Sequence, residues 1–182
     1  TLNIIRIGTS GAIQTDIPMG TILASSHGLG LDALMNYYQQ DMNPETDEML
    51  GAFNNHINNI PGIHPYLTAA SENLISKIAF DMQKGITVTA PGFYAPQGRE
   101  VRAVRTVPNL IAALSGFSYR NYRITNLEME TAGIYALAKA LGHNALSINA
   151  ILASRVNYTF ASNPAAIVDS AIKTVLERLN SI

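Results

Sequence analysis

Asn126-Leu127-Glu128-Met129-Glu130-Thr131, followed by Ala132, Ile134, Tyr135, Leu137, Ala138 and Leu141, decides how this chain is read. The first residues suit a short extended segment, the later ones recur at helical spacing, and Gly142 stands where a helix ends in a left-handed residue. Ala145 to Ala153 is then an apolar strand. Strand, helix and strand in succession predict an α/β fold with a central sheet. At the first junction two carboxylates lie one residue apart. If Leu127 to Met129 are extended, Glu128 and Glu130 share a face, unless the helix begins between them and turns the second away. Such carboxylates can accept hydrogen bonds from a polyol such as a sugar, while the first N–H groups of the helix remain free to donate. The simpler alternative is that Glu130 complements the helix dipole and Glu128 is solvated.

Toward the N-terminus, Leu2 to Ile7 reads as a buried strand and Gly8-Thr9-Ser10-Gly11-Ala12 as a small-residue turn that lets a ligand approach the backbone. Arg6 is expensive inside an apolar strand unless it is paired. A phosphate beside Thr9 and the turn's N–H groups would serve, and so would a carboxylate of the protein. Asp16 to Gly20 is a turn, Thr21 to Ser25 a second strand, and Ser26 to Leu31 a glycine-flanked loop in which His27 is either a ligand-binding or a structural residue. Residues 41–65, with Asn54, Asn55, Asn58 and Asn59 among Phe53, Ile57 and Ile60, predict a mixed helix and loop excursion. Ser71 to Gln83 has helical periodicity with Gly85 as its stop, and Ile86 to Ala90 is a β-branched strand.

The next loop, Pro91-Gly92-Phe93-Tyr94-Ala95-Pro96-Gln97-Gly98-Arg99, offers a stacking face, an amide and a guanidinium. These suit a flat heterocycle with carbonyl and N–H edges, and the glutamine's acceptor and donor match the edge of uracil; an ordinary surface loop with Phe93 packed inward is the alternative. Pro108 to Leu114 predicts a short helix opened by proline, and Arg155 falls at the carboxyl end of the late strand, where open α/β sheets bind ligands. Asn163 caps a last helix that begins at Pro164 and buries a stripe of Ile167, Val168, Ala171, Ile172, Val175, Leu176 and Leu179.

At 182 residues, 47% hydrophobic and 14% charged, the chain suits one globular domain, and no internal repeat or linker divides it. A balance of 12 basic against 13 acidic residues gives no general attraction for nucleic acid or an anionic membrane, and no apolar run suggests a membrane span. Arg99, Arg102, Arg105, Arg120 and Arg123 read as solvated or interface positions. Without cysteine there is no disulfide or thiol catalysis, and His27, His56, His64 and His143 lack metal-ligand spacing, so no metal is expected. The chain opens at Thr1 directly into an apolar run, which leads us to expect an upstream portion.

Together, Arg6-Ile7-Gly8-Thr9-Ser10-Gly11, the Phe93, Gln97 and Arg99 loop, and Asn126 to Glu130 resemble the nucleoside phosphorylase superfamily, most closely its uridine phosphorylases. The resemblance covers nearly the whole chain and implies a three-layer α/β fold, a central mixed sheet flanked by helices, in a single domain over residues 1–182. It implies that the family's first strand, glycine-containing phosphate loop and a further phosphate-binding arginine lie before Thr1. By the same resemblance Arg6, Thr9 and Ser10 hold phosphate, and Phe93, Gln97, Arg99 and Arg155 hold the base. Thr9, Glu128, Met129 and Glu130 hold the ribose, and catalysis falls to Arg6, Thr9 and Arg155. The implied reaction is reversible phosphorolysis, phosphate attacking the anomeric carbon while the base leaves. No cofactor is implied, inorganic phosphate being a co-substrate. The expected partners are a pyrimidine nucleoside, phosphate and further copies of the chain, in a dimer-based oligomer such as the family's hexamers, and a cytoplasmic location is expected. Purine-cleaving relatives carry an aspartate just after the late strand, and Ala153-Ser154-Arg155-Val156-Asn157 has none. The loop departs from the family in its Ala95-Pro96 order and in Gly98, where an acid is common.

Overall fold

The computed structural model describes residues 1–41, 43–58, 60 and 62–179; Asn59, named above, lies outside them. Eight strands form one mixed sheet among the described residues: β1 (Asn3–Ala12), β2 (Ile22–Gly30), β3 (Tyr66–Ala69), β4 (Gln83–Thr89), β5 (Ser118–Tyr119), β6 (Tyr122–Glu128), β7 (Asn144–Ser154) and β8 (Thr159–Phe160). Their order is β3-β2-β4-β6-β1-β7-β8, with β5 against β6. β1 runs parallel to β7, β2 to β4 and β4 to β6, whereas β1 meets β6 antiparallel. Because β2 also pairs antiparallel with β7, the five strands β2, β4, β6, β1 and β7 close on themselves.

Helices cover both faces. On one side α1 (Pro44–His56) and α3 (Leu110–Ser115) bury Met49, Phe53 and Leu114 against Leu29, Val88, Ile124 and Leu127. On the other, α2 (Glu72–Ile78), α4 (Thr131–Ala140) and α5 (Pro164–Arg178) bury Leu74, Ile78, Tyr135 and Val175 against Ala24, Leu146 and Ile148. Each such aliphatic or aromatic side chain contributes about 1.5–3 kcal/mol. The sheet is thus mixed, central and flanked by helices, as expected.

Several boundaries differ from the sequence reading. Residues 8–12 are not a turn but the second half of β1, and residues 26–30 continue β2 instead of looping. Small residues are used here because close neighbours need the space: a Cβ on Gly28 would lie 2.7 Å from the Ala132 backbone. The helix expected to reach Gln83 stops at Ile78, and Gly85 lies within β4 against Thr125. α3 begins at Leu110, two residues after Pro108. On α5, Asn163 does cap the helix by accepting from Ala166 N at 3.2 Å, but Ile172, Leu176 and Leu179 of the expected stripe are exposed. Gly142 takes positive φ, and the amides of Gly142 and His143 bond back to Lys139 O and Ala138 O at 3.0 and 2.8 Å, closing α4 as expected.

His27, placed by its sequence neighbours in a loop, is a buried residue of β2 with its ring edge-on to Tyr122. Burial pushes its pKa down from 6.5 to about 4. Across that interval the unfolded chain binds a proton that the folded chain refuses, so stability present at neutral pH is lost as pH falls. Urea unfolding should show a loss of up to about 3 kcal/mol between about pH 7 and pH 4, with a correspondingly shallower slope in His27→Gln.

Candidate active site

The junction that opened the sequence reading holds Glu128 at the end of β6 and Glu130 at the entry to α4. Glu128 Oε1 accepts from Thr89 Oγ1 at 2.7 Å, and Oε2 accepts from Thr131 Oγ1, Thr131 N and Glu130 N at 2.9, 3.0 and 3.1 Å. Ala132 N donates to Thr89 Oγ1 at 2.8 Å. The first N–H groups of α4 are therefore not free for a ligand, because the preceding carboxylate and Thr89 absorb them. Burial raises the pKa of Glu128, opposed by these bonds and by Arg6. Glu130 makes no capping bond and its side chain is half exposed.

Arg6 reaches the same junction from β1. Its Nη2 pairs with Glu128 Oε2 at 3.1 Å and with Glu130 Oε2, while Nη1 donates to Ser147 Oγ and Asn149 Oδ1 at 3.2 and 3.1 Å. The protein-carboxylate alternative for Arg6 is thus realised in this structure. Gly8 makes the geometry possible: a Cβ there would stand 2.5 Å from the Arg6 guanidinium carbon. At the other glycine of the motif, Gly11, a Cβ would lie 2.9 Å from Arg155 Nε. The two glycines of β1 are flat ground across which two arginines lie.

From Arg6 a chain of buried hydrogen bonds crosses the closed strands. Asn149 Oδ1 receives from Arg6 and its Nδ2 donates to Ser25 Oγ at 2.9 Å; Ser25 and Thr87 share a bond of 2.6 Å; Thr87 Oγ1 donates to Asn126 Oδ1 at 2.9 Å; and Asn126 Nδ2 donates to Ser10 Oγ at 2.8 Å. The arginine can only donate, which fixes the Asn149 amide, and the single Thr87 proton goes to Asn126 Oδ1, which fixes the bond before it. Ser25 must give its proton to Thr87, and Ser10 is left with a hydroxyl proton and no acceptor among the described residues. Ser10 borders the cavity described below.

The other end of the site is built on the loop after β4. Gln97 is buried, and its Oε1 accepts from Arg99 Nη1 and Arg155 Nη2, both at 2.6 Å. Arg99 lies over the Phe93 ring at 3.7 Å from its centroid. The acceptor of Gln97 is therefore engaged within the protein, which corrects the expectation that both its acceptor and donor face a base; its Nε2 makes no bond among the described residues. Phe93 is exposed instead of packed inward. Arg155, half buried, has its pKa pulled down to about 10 by burial and by the charge of Arg99, and remains a cation at neutral pH. Its Nε is buried without a partner among the described residues.

All ten expected residues, Arg6, Thr9, Ser10, Phe93, Gln97, Arg99, Glu128, Met129, Glu130 and Arg155, border one cavity of about 270 Å³. Sequence reading missed Leu127, Leu152 and Phe160 on its wall and, behind it, Ser147 and Asn149. The last two carried a signal, being fully buried polar residues inside the apolar run Ala145 to Ala153. The cavity has electrical polarity: two guanidiniums without a carboxylate at the Gln97 end, one guanidinium between two carboxylates at the other. A ligand with a carbonyl-bearing ring at one end and hydroxyls at the other matches that layout.

Residues 2–180 match the sequence family described as the phosphorylase superfamily. The chain belongs to the phosphorylase superfamily. Within the superfamily it is 26% identical over 183 positions to the uridine phosphorylase of Thermococcus kodakarensis, covering 95% of this chain and 57% of that protein. It is 26% identical over 186 positions to the uridine phosphorylase of Haemophilus influenzae, covering 94% and 61%. The crystal structure of a Trypanosoma brucei nucleoside phosphorylase that shows uridine phosphorylase activity superposes with a TM-score of 0.86 at 27% identity, over 99% of this chain and 64% of that one. This superfamily chain thus spans about six-tenths of the length of these relatives. No described helix is long and apolar enough to cross a membrane, and no cluster of three or more metal-ligating side chains occurs among the described residues.

Proposed function

We propose that the chain forms the base and sugar side of a pyrimidine nucleoside phosphorylase, cleaving uridine or a close analogue with inorganic phosphate and without a cofactor. The observation that carries this reading is the buried Gln97 held by Arg99 and Arg155 at one end of a cavity whose other end holds Arg6, Thr9 and the Glu128–Glu130 pair. With its oxygen tied to two cations, Gln97 offers Nε2 to a ring carbonyl, and Phe93 offers a face for the ring or sugar. Glu130 accepts from the ribose hydroxyls, while Thr9, Ser10 and Arg6 receive phosphate.

In the reaction a phosphate oxygen forms a bond to the anomeric carbon as the glycosidic C–N bond breaks, and the bonding pair leaves with the base. The base end, with two uncompensated guanidiniums, stabilises that charge as it develops. Arg155-Val156-Asn157, just after β7, include no carboxylic acid to protonate a purine ring, which favours a base that departs as an anion. Assembly of copies into a dimer-based oligomer belongs to the same proposal.

A second reading has one observation behind it: Arg6 is already occupied by two carboxylates, as would suit a nucleosidase that uses water. Uracil release from uridine, followed by ultraviolet absorbance with and without phosphate and with inosine as control, separates the two. Cleavage of uridine that requires phosphate is the expected result; cleavage without phosphate selects the nucleosidase, and preferential cleavage of inosine overturns the pyrimidine assignment.

A further inference from the structure

We propose that Glu130 is an internal stand-in for phosphate on Arg6, and that phosphate arrival moves this carboxylate off the arginine and onto the ribose hydroxyls. The inference rests on the phosphorylase reading above and adds to it a coupling between the two substrates.

Both terminal nitrogens of the Arg6 guanidinium are engaged within the protein. Nη1 serves Ser147 and Asn149, and Nη2 serves both Glu128 and Glu130. One cation between two carboxylates leaves a net negative charge at the place proposed for phosphate, and that charge opposes a third anion until one carboxylate leaves. Only one of the two can leave. The Glu128 side chain is 3% exposed and is held by Thr89, Thr131 and two backbone amides. The Glu130 side chain is 53% exposed, caps nothing and has Arg6 as its one hydrogen-bond partner among the described residues.

Donors for the incoming anion stand in the same cavity. Thr9 is exposed there, and the directed hydrogen-bond chain leaves the Ser10 proton unused. The displaced carboxylate, an acceptor only, then needs donors, and the hydroxyls of the ribose supply them. Phosphate bound first therefore readies the sugar site, and by linkage the nucleoside must tighten phosphate by the same factor.

The test is calorimetric titration of inorganic phosphate into the protein without nucleoside. Glu130→Gln removes the competing charge at nearly constant shape. Its phosphate Kd should fall by about tenfold, while KM for uridine at saturating phosphate rises by about tenfold or more. A misfolded variant cannot gain affinity, so the predicted change is not open to that explanation. In the wild-type protein, a carbocyclic uridine that resists cleavage should bind at least about fivefold tighter when phosphate is saturating. Phosphate binding that is unchanged or weaker in Glu130→Gln overturns the exchange, as does equal affinity for the carbocyclic ligand with and without phosphate. Phosphate binding to neither protein overturns the exchange together with the assignment of phosphate to Arg6, whereas equal binding to both leaves that assignment standing.

Discussion

Arg6→Ala is expected to lower phosphate-dependent uridine cleavage by about two to three orders of magnitude and to reduce folding stability by about 3–5 kcal/mol at neutral pH. Both effects come from one guanidinium. In the proposed reaction it is the cation that receives the attacking phosphate once Glu130 has moved away, and it is also the counter-ion of the buried Glu128, whose remaining partners are neutral donors. The loss of stability should depend on pH in a definite direction. Glu128 already has a raised pKa in the folded chain because it is buried, and removing Arg6 raises it further. A carboxyl that holds its proton more tightly when folded stabilises below its unfolded pKa, and that contribution disappears as pH rises through the folded value. Urea unfolding of the variant should thus lie nearer wild type at about pH 5 than at about pH 8. An equal deficit at both values would remove Glu128 as the cause.

Arg155→Met should lower kcat for uridine by about 10²–10³-fold with only a small effect on stability. Methionine keeps the unbranched stem that lies over Gly11, and Gln97 Oε1 keeps Arg99 as a donor. What disappears is a cation on the cavity wall with no carboxylate among its described partners, so its charge is uncompensated there. The deficit should shrink for 5-fluorouridine, because a more acidic base leaves with less help. Single-turnover rates for both nucleosides measure this, and an equal deficit for the two would assign Arg155 to binding and not to the departing charge.

The sequence made the fold class legible because the long periodic segments were unambiguous. β7, α4 with its Gly142 end and α5 with its Asn163 cap are where spacing put them. The errors share a cause. Gly11, Gly28 and Gly85 look like breaks in a one-dimensional reading, yet each lies inside a strand against a residue distant in sequence, Arg155, Ala132 and Thr125, while Gly8 makes room for Arg6 of its own strand. The ten expected residues do border one cavity, whereas the partners of each were not legible. Glu128 reads as a sugar ligand until Thr89, from another strand, is seen to occupy one of its oxygens. Gln97 reads as a two-sided base reader until Arg155 arrives from 58 positions away. Ser25, Thr87, Asn126 and Asn149 form a polar thread only because the strands close on themselves, and no local pattern announces that closure.

The loop after β4 is stitched mainly to itself. Gln97 N and Arg99 N bond to Tyr94 O, Gly98 N bonds to Ala95 O, and Arg99 grips the Phe93 carbonyl, while the side chain of Gln97 meets the late strand's Arg155. The sugar and phosphate end hangs on β1, β6 and α4 instead. On the proposed reading, base choice and sugar binding therefore rest on separate parts of the chain: exchanging residues 93–99 would remake the base end while leaving the contacts of Arg6 with Glu128 and Glu130 in place.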